Sequence, residues 1–370
     1  MSLGLRIPFN GLQKQYSNLR HEILDVTDQV LRSGQVMNGN FTVEFEHWLA
    51  KRNHVQYAVT CHSGTQALEI IAEYYREHTH RFNTPRVLMP SVTYPATANA
   101  FIRAGWDIHF VDVDRYGIID FTKLPELVGY DAICIVGLYG AAIPHSTSAW
   151  RMMNRASFLI IEDAAQHWLS ADCTRLGQAT AISFDPTKNL GNFGNGGAVL
   201  TNDQTLSYYA RDWRDNGKIG NFETSGTNSR MSEVDCVQML VKATHIDQWQ
   251  KRREMIARHW MDRLRNSEIR CLIDKSNVDE HCFHKFVIEC DHRDGVKRKM
   301  GIRGIDTRIH YELPLHELSA YRQFPGPDML SPSSALCRRV LSLPIYSELT
   351  DLEVEYIIDQ LLDSYAETHN

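Results

Sequence analysis

The 370-residue sequence predicts an α/β protein with a mostly parallel sheet, followed by a smaller α+β unit. In the first two-thirds of the chain, short apolar runs of strand length alternate with segments whose apolar residues recur at helical spacing. After about residue 235 this alternation stops. Because a chain of this length commonly holds two or three domains, we predict a large domain over residues 1–245 and a small domain over residues 246–370.

The predicted elements of the large domain begin with a helix that has Phe41, Phe45 and Leu49 on one face. A strand at residues 55–60 and an amphipathic helix from Ala67 to Tyr74 follow. Six further short strands are predicted at residues 86–89, 108–111, 132–136, 158–161, 179–184 and 198–201. Since strands buried on both faces are apolar throughout, this pattern predicts a sheet enclosed between two helical layers.

The predicted small domain contains fewer and more widely spaced elements. A long helical stretch runs from about residue 235 to Trp260, and a strand covers residues 283–288. The last predicted helix carries Leu352, Ile357 and Leu361 on one face. We therefore expect a compact α+β unit at the C-terminal end.

Composition narrows the classes of partner. Apolar residues make up 43% of the chain and the net charge is −6, so no overall positive field attracts nucleic acid or anionic lipid. The longest apolar run, residues 132–143, is interrupted by two glycines and is shorter than the roughly 18 residues of a membrane span. The first residues show no signal-peptide pattern. We predict a cytoplasmic protein that binds neither nucleic acid nor membrane.

The cysteine pattern indicates no metal centre. None of the eight cysteines forms a C-x-x-C pair, and most are expected to be inert core residues. His281, Cys282, His284 and Cys290 lie close together in a strand-like run, but their spacing fits no usual ligand set. We therefore predict that the protein has no metal site.

Two candidate binding segments follow predicted strands. Ser63-Gly64-Thr65 precedes a helix, and its backbone N–H groups and hydroxyls suit a phosphate, although an ordinary helix cap has the same composition. Glu162 and Asp163 end an apolar strand, at the edge where α/β sheets bind ligands. An acid there faces water, caps a helix, or keeps the ring nitrogen of a cofactor protonated.

Lys188 is the candidate nucleophile. It lies in a glycine-rich turn directly after a predicted buried strand, within residues 183–191. A partly desolvated lysine has a lowered pKa and can form a Schiff base with an aldehyde. The alternative interpretation is a surface lysine in a flexible loop without a chemical role. The turn lacks the G-x-x-x-x-G-K-[ST] order of an ATP-binding loop, and no G-x-G-x-x-G follows the first strand. Both the ATP-binding and the dinucleotide-binding interpretations are therefore weakened.

Together these segments resemble the DegT/StrS-like family of sugar aminotransferases, fold-type I enzymes that use pyridoxal phosphate (PLP). The matching motifs occur in the order of that family along nearly the whole chain. They are residues 63–68, 90–97 with 110–114, 138–140, 162–166, 183–191, 228–231, 314–316 and 341–344. The resemblance implies that the large domain is a three-layer PLP-binding domain.

The resemblance also implies roles around the cofactor ring. Lys188 would hold PLP covalently and then move the proton between the substrate carbon and the cofactor. Asp163 would pair with the ring nitrogen, Gln166 would hydrogen-bond the phenolic oxygen, and Tyr94 would stack on the ring. A tyrosine at position 94 could instead belong to the core, which is the commoner place for a lone aromatic residue.

At the phosphate end, the resemblance implies binding by Gly64, Thr65 and Ser183. Asn228 would reach the same phosphate from a second subunit, so a homodimer with shared sites is expected. Arg230 would support the Asn228 loop structurally.

Two positions depart from the family pattern. Asn195 stands where many members have an acid, and His167-Trp168-Leu169 stands where many have Ala-His-Gly. We expect both positions near the active-site wall, where they would affect the choice of acceptor.

The leading functional prediction is a PLP-dependent aminotransferase that moves an amino group, with glutamate as the expected donor, onto a keto group of a nucleotide-linked sugar. A PLP-dependent sugar dehydrase is less favoured, because such enzymes typically replace the lysine or recruit an iron–sulfur cluster. The motifs are also compatible with a keto-cyclitol as acceptor, and with a PLP-binding regulator that has no catalytic activity.

Overall fold

The computed structural model describes residues 5–78, 84–144, 150, 158–171, 173–328 and 331–369. Its larger sheet has seven strands in the order β1-β7-β6-β5-β4-β2-β3. The run from β3 to β6 is parallel, and β7 is antiparallel to both of its neighbours. The mostly parallel sheet is thus confirmed, and each predicted end of its strands lies within two residues of the observed one. The strands are β1 (Tyr57–Cys61), β2 (Arg86–Pro90), β3 (Asp107–Val111), β4 (Ala132–Val136), β5 (Leu159–Asp163), β6 (Ala179–Ser183) and β7 (Gly197–Thr201).

Helices cover both faces of this sheet, so the three-layer arrangement is also confirmed. The described helices are α1 (Leu12–Ser33), α2 (Asn40–Arg52), α3 (Gly64–His78), α4 (Pro95–Arg103), α5 (Gln204–Trp213) and α6 (Glu233–Ala243). Apolar residues of α3, α4 and α5 form one core with the strands. Residues of α2 and α6 pack on the opposite face.

The second unit is built on a small antiparallel sheet in the order β10-β9-β8. Its elements are β8 (Arg270–Cys271), β9 (Phe286–Glu289), β10 (Val340–Leu343), α7 (Ile246–Arg263), α8 (Arg293–Ile302), α9 (Pro332–Arg339) and α10 (Asp351–His369). The single long helix predicted from about residue 235 is wrong. The chain forms α6 and α7, separated by Thr244 and His245, and neither residue is a helix breaker that the sequence would reveal.

The division at residue 245 remains a proposal, and the packing supports it. Trp260, Phe286, Leu341 and Ile357 belong to an apolar core that is separate from those of the large sheet. Ile7 is buried in this same core, so the N-terminal segment packs on the second unit.

Two further sequence predictions concern the cellular location of the protein and the state of its cysteines. No described helix combines the length and the apolar composition that a membrane span requires. The cytoplasmic location stays a prediction. All eight cysteines are free thiols and all but Cys271 are buried, as expected of core residues.

One edge of the large sheet collects the loops that matter for function. The carboxyl ends of β1, β2, β4, β5 and β6 meet there, because these strands all run in the same direction. The amino end of β7 reaches the same edge, since β7 runs the opposite way. Segments distant in sequence are thereby brought to one place.

A buried carboxylate, that of Glu46 on α2, anchors this edge. Its Oε1 accepts hydrogen bonds from the backbone N–H and hydroxyl of Thr60 on β1, both at 2.9 Å. Oε1 also pairs with Arg214 at 2.5 Å, and Oε2 pairs with Arg211 at 2.6 Å. Burial raises the pKa of Glu46, but the two arginines and the backbone hydrogen bond from Thr60 together lower it by more, so the net shift is downward.

We predict that Glu46→Gln lowers the free energy of unfolding by about 3 kcal/mol at pH 7, because it leaves the buried Arg214 without a counter-charge. The pKa of Glu46 is lower in the folded than in the unfolded protein. Its contribution is therefore complete above pH 4.5, the ordinary value, and is lost as pH falls through the folded pKa. Urea unfolding of both proteins between pH 3 and pH 8 measures this difference.

Glu44→Gln, at an exposed position of the same helix, is the matched control and should unfold like the wild type. A Glu46→Gln penalty that stays constant down to pH 3 would contradict the assigned pKa direction.

Candidate active site

A cavity of about 480 Å³ opens at the carboxyl edge of the large sheet. Seven of the eight predicted site residues line it, and they come from four separate segments of the chain. These residues are Gly64, Thr65, Tyr94, Asp163, Gln166, Ser183 and Lys188. Asn228 is the one predicted residue that does not line the cavity.

The start of α3 forms one end of the cavity. Ser63 Oγ accepts from the backbone N–H of Gln66 at 3.2 Å, so the predicted helix cap is present. Gly64 and Thr65 follow in the first turn, where backbone N–H groups have no intrahelical acceptor. A Cβ at Gly64 would lie 2.7 Å from Cβ of Ser183. Glycine therefore lets α3 approach the end of β6, and together they form a cradle of anion-binding donors.

Asp163 lies at the end of β5 with only 5% of its surface exposed. Thr97 Oγ1 on α4 donates to its Oδ2 at 2.6 Å, and the N–H of Ala165 donates to its Oδ1 at 3.2 Å. Burial raises the pKa of Asp163, while these two bonds and the charge of Lys188 reduce the shift. The carboxylate is thus positioned by three elements and held away from water.

Lys188 lies in the turn between β6 and β7. Its backbone N–H donates to the carbonyl of Asp185 at 2.9 Å, which closes the turn. Burial lowers the pKa of the Lys188 ammonium, and the charges of Asp185 and Asp163 oppose that shift. The prediction of a partly desolvated lysine is consistent with this placement, and a freely solvated surface loop is not.

Gln166 and two tyrosines form another part of the wall. Gln166 Oε1 accepts from the N–H of Tyr139 at 2.9 Å, and its Nε2 donates to the hydroxyl of Tyr311 at 3.1 Å. Within the described part of the chain, these two bonds leave one amide hydrogen of Gln166 that can donate to a ligand. The ring of Tyr94 lies 6.3 Å from that of Tyr311 and is 58% exposed, so Tyr94 is not a core tyrosine.

Asn228 is exposed and lies outside the cavity. Its Oδ1 accepts from Arg230 at 3.0 and 3.2 Å, and Arg230 pairs with Asp215 at 3.1 Å. Arg230 therefore supports this loop, as predicted. The neighbouring Ser229 donates to the side chain of Gln66 on α3 at 2.6 Å.

The two departures from the family pattern have different positions. Asn195 lines the cavity, as expected. His167 and Trp168 do not: the expectation that they lie at the wall is wrong. His167 Nδ1 accepts from the N–H of Gly137 at 3.0 Å, and Trp168 packs edge-on against Phe184 in the core.

Sequence reasoning missed four lining residues that come from the second unit: His284, Lys285, His310 and Tyr311. A lysine between two phenylalanines of a strand-like run, at Lys285, was a usable signal. The other three lie in segments without periodicity, and no local pattern distinguishes them from structural residues.

One buried group on the far face of β5 contains three potential metal ligands, Glu162, His167 and Cys173, with ligand atoms within 4.8 Å of one another. The carboxylate of Glu162 already accepts three backbone N–H bonds of 2.9 to 3.1 Å from residues 174–177. It thereby anchors the loop before β6, and this structural role is enough to explain a buried carboxylate at this position without a metal ion. The predicted absence of a metal remains a prediction.

A mostly parallel sheet with one reversed strand, a lysine after β6 and a buried aspartate ending β5 define a fold-type I PLP-dependent enzyme. The chain belongs to the DegT/DnrJ/EryC1/StrS aminotransferase family, whose family model matches residues 17–362. This is a family of PLP-dependent sugar aminotransferases.

Relatives match over nearly their full length. A dTDP-3-amino-3,4,6-trideoxy-alpha-D-glucose transaminase from Streptomyces venezuelae is 30% identical, over 96% of this chain and 95% of its own. A pleiotropic regulatory protein from Geobacillus stearothermophilus is 29% identical, over 98% and 99%. The crystal structure of S. venezuelae DesV in complex with a ketimine intermediate has a TM-score of 0.88 and 30% identity, over 97% and 98%.

The donor set of the cavity fits PLP. The cradle of Gly64, Thr65 and Ser183 suits a phosphate, and the absence of a Cβ at Gly64 keeps α3 close to Ser183. The buried Asp163 carboxylate suits a protonated ring nitrogen, and Lys188 supplies the amine that an aldehyde requires.

We predict that Gly64→Ala weakens PLP binding at least about tenfold, since the added methyl group must displace either α3 or Ser183 and widen the cradle. Titration of the apo protein with PLP, followed by absorbance, measures the change.

Gly301→Ala on α8 is the control, because a Cβ there meets no atom within 4 Å. Equal PLP affinity of Gly64→Ala and the wild type would show that this close approach does not shape the phosphate site.

Proposed function

We propose that the protein transfers an amino group from glutamate to a keto group of a nucleotide-linked sugar, with PLP as cofactor. The observation that carries this proposal is the meeting of Lys188, Asp163 and the phosphate cradle in one cavity. The amino-sugar product named for the S. venezuelae relative supports the choice of substrate class.

In this proposal each residue has a distinct task. Lys188 holds the cofactor, Asp163 keeps the proton on its ring nitrogen, and Gln166 donates to its phenolic oxygen. Tyr94 covers the ring, since its side chain lines the cavity and is not packed in the core. Bound PLP supplies an electron sink for the electron pair that remains when the substrate carbon loses its proton.

At the phosphate end, Gly64 and Thr65 donate backbone N–H groups, and Ser183 donates its hydroxyl. The positive end of the α3 dipole adds to this attraction. The protein can therefore bind an anionic group despite its net charge of −6.

Lys188 then moves the proton. Once the amino donor has replaced it on the cofactor, the freed amine of Lys188 would take the proton from the substrate carbon that carries the transferred nitrogen and return it on the cofactor side. Burial lowers the pKa of Lys188, so a larger share of the side chain is neutral at neutral pH and able to act as a base. The burial that lowers this pKa also keeps water away from the reacting atoms and so limits competing hydrolysis.

We predict that wild-type protein with PLP shows the visible absorbance of lysine-bound PLP, which L-glutamate bleaches and a nucleotide keto-sugar restores. Lys188→Ala should lack that band and lose essentially all turnover, because it removes the amine that is proposed to hold the cofactor covalently. Lys275→Ala, at an exposed position, is the control.

The contrary results would identify a different function. Loss of a hydroxyl from the product would indicate a dehydrase, and turnover of a keto-cyclitol in place of a sugar would correct the acceptor. Full PLP occupancy without bleaching by any amino donor would indicate a regulator, the function that the name of the G. stearothermophilus relative suggests.

We further propose a homodimer in which Asn228 of one subunit binds the phosphate in the site of the other. Two observations favour this arrangement. Asn228 is exposed and does not line the cavity of its own subunit, and a hydrogen bond from Arg230 fixes its side chain.

We predict that Asn228→Asp, which places a carboxylate near the phosphate, is inactive alone but complements Lys188→Ala. A mixed dimer has one site with both changes and one intact site. Random mixing of equal amounts should therefore restore about one quarter of wild-type activity. Measurement of turnover after unfolding and joint refolding tests this; no recovery would show that Asn228 acts within its own subunit or not at all.

A further inference from the structure

The cavity wall carries a second lysine, Lys285, for which the proposed roles have no use. It directly precedes β9, and its backbone N–H donates to the carbonyl of Tyr139 at 3.0 Å. This bond fixes the second unit against the loop that follows β4. The side chain is 6% exposed and lines the same cavity as Lys188.

The charge of Lys285 is compensated only in part, and its Nζ lies over the ring of Phe9 at 5.3 Å from the centroid. Among the described residues Asp185 is the carboxylate that acts on it, and Oδ1 of Asp185 is already bound by Thr187 at 2.6 and 2.9 Å. Burial, together with the positive charges of Lys188 and Arg253, lowers the pKa of Lys285 to about 7. An anion brought to this wall would supply the missing counter-charge.

Two histidines next to Lys285 add donors without adding charge. Both ring nitrogens of His284 are buried and have no hydrogen-bond partner within the described part of the chain. Nδ1 of His310 shares a hydrogen bond with Ser342 Oγ at 2.8 Å. Burial lowers the pKa of His284 well below its usual range and that of His310 to about 3, so both rings are neutral at pH 7.

We propose that Lys285, with His284 and His310 beside it, binds the α-carboxylate of the amino donor. This inference rests on the proposed aminotransferase function and identifies the residue that selects an α-amino acid. In such a donor the carboxylate and the amine share one carbon, so the carboxylate must lie close to Lys188, as Lys285 does. In a nucleotide-linked sugar, ring atoms separate the phosphate from the keto carbon, so the phosphate does not have to lie close to Lys188.

The test compares L-glutamate with its α-amide, which lacks this one negative charge. In the wild type, kcat/KM for bleaching of PLP absorbance should be at least about 30-fold higher for L-glutamate, the loss expected when one partner of a buried charge pair is removed. Lys285→Met should lose this preference and react with both donors at the rate of the amide. Lys285→Arg should retain part of it.

The reaction with the acceptor provides the internal comparison. Lys285→Met, loaded with PLP, should react with the amino-sugar nucleotide at the wild-type rate. A loss confined to that reaction would overturn the inference and assign Lys285 to the phosphate of the sugar nucleotide. Lys275→Met is the control, and Lys285→Gln replaces Lys285→Met if the latter does not fold.

A second measurement does not depend on turnover. Glutarate has both carboxylates of glutamate but no amine, and calorimetry should show at least about 30-fold weaker binding to Lys285→Met than to the wild type. Equal affinities would overturn the inference while leaving the proposed function intact. A wild type that does not react with L-glutamate at all would contradict the proposed function, and this inference with it.

Discussion

The site depends on two opposite charges, Lys188 and Asp163, that are held together where neither is well hydrated. Burial favours the neutral form of each group, and each charge opposes that effect on the other. Thr97 and Ala165 donate hydrogen bonds to the carboxylate and further stabilise its ionised form. Exclusion of water therefore favours a lysine able to release a proton, while the hydrogen bonds and the charge of Lys188 favour the ionised form of Asp163.

Strand direction places these groups. Asp163 ends β5 and Lys188 follows β6, which are parallel neighbours, so both side chains arrive at one edge. The reversed β7 returns the chain to the same edge and adds Asn195 to the cavity wall. Gly64 lets α3 approach Ser183 closely enough to form the phosphate cradle. The cofactor part of the site is thus a consequence of the large sheet.

The second unit contributes another part of the cavity wall. Lys285, His310 and Tyr311 reach the cavity from segments roughly 100 residues or more beyond Lys188, and hydrogen bonds join this unit to the loop after β4. The backbone contact between Lys285 and Tyr139 is one such bond. The proposed roles divide in the same way, with the cofactor assigned to the large sheet and recognition of the amino donor to the second unit.

The sequence by itself determined the sheet, the order of its strands along the chain and the residues that follow them. Apolar runs identify buried strands directly, and Asp163 ends one such run while Lys188 follows another after a few residues. The expected roles of these two residues came from the order of the motifs, which resembles that of the family. Only the tertiary structure decided that α6 and α7 are separate, that Trp168 is a core residue while Asn195 is at the wall, and that Lys285 and Tyr311 complete the site. These outcomes depend on contacts between distant segments, whose packing leaves no periodic pattern in the local sequence.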